Sequence, residues 1–292
     1  MGLPSYADVV EKVKNSVVAL RGTRFPASGT VIDAHHVVTV AHVMGRGSEG
    51  KVALDDGREV RAVLKGLDRR ADLAVVFVEA DLAVPDLTGD AHVRTGDVVL
   101  ALGRPTGLLR ASVGLVAAVS GPWRTPRGVA LDRFVDVDGA LPPGFSGGPL
   151  VRGDGEIVGI NTALVVRGGT TLAASTVRRM AQALIAGEST KPGFLGAAVQ
   201  VARLSEEQRA AVSRDALLLV TSLTRGGPAE QAGVQAGDLL VSLDGEALTD
   251  VASLLAALGA RGGDTVKLVV LRGGEQRALD VALGVPPSSS RG

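Results

Sequence analysis

The sequence predicts a mainly β protein: two six-stranded antiparallel barrels followed by a smaller α+β domain. Three observations carry that expectation. Up to about residue 174, short apolar runs alternate with Gly-, Asp- and Pro-containing breaks, the pattern of antiparallel barrels. A polar, proline-ended stretch at 188–192 then interrupts the pattern as a linker would. Beyond it, strand-like runs mix with short helical segments, enough for one further small domain.

Composition sets the class. Of 292 residues, 46% are hydrophobic and 21% charged, which marks a folded chain and not a disordered one. Aromatics are only 2%, so the cores must be built from Val, Leu, Ala and Ile. The 31 basic and 31 acidic residues cancel, and the arginines are scattered, so no nucleic-acid partner is expected. Cysteine is absent, which removes disulfides and leaves the compartment undecided. No run reaches the roughly 18 apolar residues of a membrane span, so no transmembrane segment is expected in this chain.

The elements follow in order. Ser5 is placed to cap a helix over 5–14, with Tyr6, Val9, Val10 and Val13 on one stripe. Strand-like runs at 17–20, 29–33, 37–40, 51–54, 59–68 and 73–79 make the first barrel, about 17–95. Runs at 97–103, 112–119, 133–137, 148–151, 157–162 and about 172–174 make the second, about 96–174. Ser175 is read as the cap of a helix over 176–186 that Gly187 stops. The expected division is therefore 1–187, a linker at 188–193, a second domain at 194–285 and a disordered tail at 286–292.

Within the second domain, Ser205 and Gln208 form a capping box before a short helix. Gly227-Pro228-Ala229-Glu230-Gln231-Ala232-Gly233 is a single-turn helix with Pro inside its start and Gly past its end. A helix from 250 to 258 turns Val251, Leu254, Leu255 and Leu258 to one face. Strands at 217–223, 266–271 and 277–283 complete the unit.

The chemistry centres on Gly144-Phe145-Ser146-Gly147-Gly148-Pro149-Leu150. A serine hydroxyl is a weak nucleophile that needs a base and donors for the developing oxyanion. Glycines around it let the backbone turn sharply, so the amides of Gly144 and Ser146 can point to one place. By itself the run is also an ordinary glycine-rich turn between strands. A Gly-x-Ser-x-Gly elbow of the α/β-hydrolase type needs its histidine after the serine. All four histidines, His35, His36, His42 and His92, precede Ser146, so that fold is excluded. The order left is His, Asp, Ser, as in chymotrypsin.

Thr39-Val40-Ala41-His42-Val43 and Arg70-Ala71-Asp72-Leu73-Ala74-Val75-Val76 supply the partners. With the serine box they resemble the catalytic boxes of the HtrA (Deg) serine proteases: a TxAH box, a DLAV box and an SGGPL box, in that order. The resemblance implies chymotrypsin-type barrels, with His42 as base, Asp72 as its orienting partner and Ser146 as nucleophile. It places the oxyanion hole at Gly144, Phe145 and Ser146, and the specificity pocket at Ala140, Leu141, Ile160 and Ala163. Leu102-Gly103-Arg104-Pro105-Thr106-Gly107-Leu108 also resembles a family segment.

Phe145 departs from the family, which has asparagine there. Phenylalanine cannot hydrogen-bond neighbouring backbone, and the expectation is a free loop with the Gly144 amide turned away. Residues 194–285 resemble an HtrA-type PDZ domain. That resemblance implies capture of apolar peptide C-termini by Phe194, Leu195, Gly196 and Ala197, with Val251 and Leu255 on the facing helix. It further implies unfolded-protein substrates, ATP independence, no cofactor and no metal, and a homotrimer formed through Tyr6.

The first residues run straight into the opening helix, with no charged-then-apolar leader. The expected location is the cell envelope or periplasm if a signal or anchor has been removed, and otherwise the cytoplasm. The rival reading is a weakly active scaffold or chaperone that works mainly through PDZ binding. His35, His36 and His92 are read as loop or surface residues, and Trp123 as packing over a barrel end.

Overall fold

The computed structural model describes residues 5–45, 47–125, 129–139, 141–163, 170–187, 193–259 and 261–285. The chain divides into two compact units, one of 1–125 with 130–188 and one of 126–129 with 189–292.

In the first unit, α1 (Tyr6–Val13) begins where the Ser5 hydroxyl accepts from the Ala7 amide at 3.2 Å. Its inner side is narrower than the sequence stripe suggests: Val9 and Val13 are buried, whereas Tyr6 stays 49% exposed. Each buried valine contributes roughly 1.5–3 kcal/mol of transfer energy, which seats the helix.

The first barrel contains β1 (Val17–Arg21), β2 (Ala27–Val31), β3 (His36–Thr39), β4 (Glu49–Ala53), β5 (Glu59–Asp68) and β6 (Leu73–Val78). It closes in the order β1-β2-β3-β6-β5-β4. Val18, Val31, Val37, Val52, Val76 and Val78 fill it. β-Branched side chains suit such a barrel because their stiff χ1 matches the pleated surface.

The second barrel contains β7 (Val98–Gly103), β8 (Arg110–Ser120), β11 (Phe134–Asp138), β12 (Pro149–Arg152), β13 (Ile157–Thr162) and β14 (Thr170–Ala173). It closes as β11-β14-β13-β12-β7-β8. Two short strands, β9 (Trp123–Arg124) and β10 (Ala130–Leu131), pair beside it, and the Trp123 ring sits 4.8 Å from that of Phe134.

The closing helix α2 (Ala174–Ile185) starts two residues earlier than expected, and Ser175 is not its cap. The buried carboxylate of Asp90 accepts both the Ser175 amide, at 3.2 Å, and its hydroxyl, at 2.5 Å. A carboxylate brought in from elsewhere satisfies the first turn, so the local serine is not needed for it.

The second unit is a sheet in the order β15 (Ala197–Arg203), β16 (Ala216–Leu223), β17 (Leu239–Leu243), β19 (Thr265–Arg272) and β20 (Glu275–Ala282), with β18 (Glu246–Ala247) paired to β17. Helices α3 (Glu206–Val212), α4 (Pro228–Gln231) and α5 (Val251–Leu258) complete it. The capping box of Ser205 and Gln208 is formed, as is a second one of Asp250 and Ser253. Leu218, Leu240, Leu243, Leu254 and Leu268 lie in its core. Asp238 is buried there. Burial works against its charge, but the Arg272 guanidinium, at 2.7 Å to each carboxylate oxygen, and the Gln235 amide hold its pKa below the ordinary carboxylate range. Among the described residues no helix is long and apolar enough to cross a membrane.

Candidate active site

Strand pairing brings the first two catalytic candidates together. In the β3–β6 ladder Thr39 stands opposite Ala74, so the chain leaving β3 at His42 runs beside the chain entering β6 at Asp72. His42 lies in a 3₁₀ turn, Ala41–Val43. Asp72 has φ 55°, in the left-handed region that aspartate tolerates better than most side chains. The buried Asp68 carboxylate accepts the Arg70 and Ala71 amides and so shapes the turn before it.

Asp72 is 2% exposed and fully engaged. Its Oδ1 accepts the His42 backbone amide at 2.9 Å, and its Oδ2 lies 2.8 Å from His42 Nδ1. Thr162, at the end of β13, donates its hydroxyl to the same Oδ2 at 2.5 Å. An ionised carboxylate only accepts, so Nδ1 carries the proton and Nε2 is left as the basic nitrogen.

The serine loop is held from both barrels. The Gly147 amide donates to the Asn161 carbonyl and the Asn161 amide to the Gly148 carbonyl, each at 2.9 Å. Asn161 and Thr162 are successive on β13, so one strand ties both the serine loop and Asp72. From β2, the Ser28 amide donates to the Ser146 carbonyl at 3.1 Å and the Thr30 hydroxyl to the Gly147 carbonyl at 2.9 Å. Ser146 is half-buried, and among the described residues its hydroxyl makes no hydrogen bond. Catalytic hydrogen bonds are often long in the free enzyme and tighten with substrate.

The oxyanion turn is defined by three constraints. The Phe145 amide donates to the Pro142 carbonyl at 3.1 Å, closing a four-residue turn. Gly144 has φ 85°, which excludes a type I turn, and Pro143 cannot adopt the positive φ of the primed types. The turn is therefore type II. Among the described residues the amides of Gly144 and Ser146 have no partner, whereas those of Phe145, Gly147 and Gly148 are committed. This corrects one expectation: Phe145, its amide taken by the Pro142 carbonyl, offers no donor to an oxyanion. It is 1% exposed among Val99, Val116, Leu150 and Val158, with the Arg110 guanidinium 5.9 Å from its ring. Apolar burial replaces the hydrogen bonds that asparagine would make.

The pocket candidates differ in exposure. Leu141 packs half-buried on the second-barrel core, Ala163 is exposed at the end of β13, and Ala140 lies outside the described residues. Ile160 is fully buried, so it supports a wall without presenting surface to a substrate.

In the second unit the Phe194 amide and carbonyl both pair with Gly284, so Phe194 is not a free donor either. The Leu195 and Gly196 amides have no partner among the described residues. Ala197 opens β15, an edge strand that among the described residues pairs only with β16. On α5, Val251 is exposed and Leu255 half-buried, one turn apart.

His35 and His36 are engaged with the Ala80 carbonyl and the Asp33 carboxylate respectively, and His92 is exposed 3.2 Å from Glu156. Sequence reasoning missed Ser28 and Thr162. Thr162 lies between the pocket candidates Ile160 and Ala163, and its distance from Asp72 in sequence hides the contact.

A family profile described as a trypsin-like peptidase domain matches residues 27–160, and one described as a PDZ domain matches 219–272. The periplasmic pH-dependent serine endoprotease DegQ of Escherichia coli is 30% identical over 331 aligned positions, covering 99% of this chain and 72% of its own. The chain belongs to the HtrA (Deg) family of serine endoproteases. A DegP-like periplasmic serine endoprotease of Halomonas elongata is 35% identical, covering 91% of this HtrA-family chain and 57% of its own length. The chain thus spans a little over half of the DegP-like relatives it matches. The solved structure of the HtrA-type protease AlgW with a decapeptide superposes with a TM-score of 0.76 at 27% identity, over 97% of this chain and 99% of that one. A serine endoprotease from Yersinia pestis gives 0.76 at 26%, over 98% and 100%.

Proposed function

We propose that this chain is an ATP-independent serine endopeptidase that cuts unfolded proteins, with residues 1–187 as the protease domain and 194–285 as a PDZ domain. The observation that carries the reading is the pair of open amides, Gly144 and Ser146, in a loop tied to β13, whose Thr162 donates to the same buried carboxylate that holds His42 Nδ1. His42 Nε2 takes the Ser146 proton as Oγ adds to the scissile carbonyl. The oxyanion accepts from the two amides. Collapse breaks the C–N bond, and His42 returns the proton to the departing amine. Water then hydrolyses the acyl-enzyme by the same path in reverse order of roles.

No acidic residue stands among Ala140, Leu141, Ile160 and Ala163, so a Lys or Arg side chain would be desolvated there without compensation. Cleavage after Val, Ala or Leu is expected. Incubating unfolded casein with the protein and with Ser146→Ala, then mapping fragments by mass spectrometry, checks both points. Fragments that persist with Ser146→Ala would refute the protease reading, and cuts mostly after Lys or Arg would refute the pocket.

The PDZ reading rests on the Leu195 and Gly196 amides at the head of an edge strand, facing a helix that offers Val251 and Leu255. A peptide with an apolar free C-terminus should bind Ser146→Ala full-length protein at roughly micromolar affinity, limited by the ordering of the peptide. Calorimetry with the same peptide amidated is the control. Equal affinity for acid and amide would exclude carboxylate capture. The exposed Tyr6 supports assembly as a homotrimer through the N-terminal segment, and the periplasmic names of the relatives support an envelope location.

A further inference from the structure

We propose that Ser28 is a positioning residue that holds both oxyanion-hole residues by their carbonyls, with its hydroxyl oriented by Arg104. The proposal rests on the reading of Gly144 and Ser146 as that hole. Ser28 lies on β2 of the first barrel and is fully buried. Its amide donates to the Ser146 carbonyl at 3.1 Å, and its hydroxyl donates to the Gly144 carbonyl at 2.7 Å. These are the two residues whose own amides stay open. A residue that must keep its N–H free for a substrate has only its carbonyl left as a backbone anchor, and Gly144 has no side chain to add another. Ser28 therefore meets the oxyanion hole at both members.

The direction of the hydroxyl is not a free choice. Ser28 Oγ also receives the Arg104 backbone amide at 2.7 Å. An N–H can only donate, so Oγ accepts there and its single hydrogen is left for Gly144. The Gly144–Phe145 peptide is then gripped at both ends, its C=O by Ser28 and its N–H by Pro142.

Arg104 is itself immobilised. It is 4% exposed; its Nε donates to the Val17 carbonyl at 2.9 Å, its Nη1 to the Gly107 carbonyl at 3.0 Å, and its Nη2 is ion-paired with Asp55. Arg104 and Gly107 lie between β7 and β8, whereas Val17 opens β1 and Asp55 lies between β4 and β5, so the arginine behind the hydroxyl is tied into both barrels. The oxyanion turn belongs to the second barrel. Ser28 is thus where the barrel carrying His42 and Asp72 sets the height of the turn that must receive the oxyanion.

The test compares full-length wild type, Ser28→Ala and Ser28→Thr by steady-state kinetics on a peptide anilide, with active sites titrated to completion by a fluorophosphonate. Hydrogen exchange of the peptic segment covering 142–148 and thermal melts accompany the kinetics. Ser28→Ala is expected to lower kcat per titrated site by roughly 10–100-fold with KM within about threefold, because a small misplacement of the donors weakens transition-state binding alone. Its 142–148 segment should exchange faster. Ser28→Thr, which keeps the hydroxyl, should recover most of both. Wild-type kcat in Ser28→Ala overturns the proposal, as does a folded Ser28→Thr no better than Ser28→Ala. A wild type that neither turns over nor takes the label would overturn the oxyanion-hole reading and the catalytic role of Ser28 with it. Unchanged exchange at 142–148 in Ser28→Ala removes the clamp whatever the activity.

Discussion

Replacing Ser146 or His42 by Ala is expected to lower kcat by roughly 10⁴–10⁶-fold, because nucleophile and base act as a unit and losing either removes the acyl-enzyme route. Asp72→Asn should cost roughly 10⁴-fold for a more specific reason. Asp72 accepts the His42 amide on one oxygen and meets His42 Nδ1 with the other. An asparagine puts an NH₂ on one side. Facing the ring, it forces Nδ1 to accept and shifts the proton to Nε2, which then cannot act as base. Facing the backbone, it sets donor against donor in a buried site. The comparison uses a peptide anilide and circular dichroism, which separates chemical loss from unfolding. Turnover surviving in Ser146→Ala, or fluorophosphonate attached to another serine, would remove the assignment.

Gly147→Ala is expected to slow fluorophosphonate labelling by more than about 10²-fold, since displacing reacting groups by about an ångström costs that much. Gly147 has φ 86°, and a Cβ there would lie 2.0 Å from the Ser28 carbonyl oxygen and 2.6 Å from Thr39 Oγ1. Neither neighbour can give way cheaply. The Ser28 oxygen accepts the Thr39 hydroxyl at 2.8 Å, and both residues are fully buried. The loop must retreat, carrying Ser146 off the line to His42, on top of roughly 1–3 kcal/mol of backbone strain. Gly153→Ala, in an exposed hairpin with nothing within 4 Å of the added carbon, is the control and should label at the wild-type rate. Wild-type labelling of Gly147→Ala would show that the serine loop is not held as tightly as its contacts imply.

Much of this was readable from local chemistry. Strand runs in both barrels follow from alternating Val, Leu and Ala bounded by glycine turns, and the Ser5 and Ser205 caps form as their spacing suggests. The His42, Asp72 and Ser146 boxes are contiguous stretches, weak one at a time and legible together in their order. Failures came where a local rule met a distant partner. Ser175 has the residue type of a cap, yet Asp90, far away in sequence, takes over that function. Phe145 looks like a defect in a catalytic box, yet the second barrel supplies the apolar site that makes it an anchor.

The sequence by itself determined the order of elements, the three boxes that hold the proposed nucleophile, base and orienting acid, and the absence of an acidic residue among the pocket candidates. All of these depend on residue type and short spacing. Only the tertiary structure decided which amides are open. That depends on what reaches the loop from outside it: β13 brings the Asn161 carbonyl that takes the Gly147 amide, and β2 brings donors to the loop's carbonyls from more than a hundred positions away, as Ser28 does to Gly144. A hydrogen bond leaves no periodic mark in sequence, because one serine in a strand reads the same whether it faces a core, solvent or an oxyanion turn.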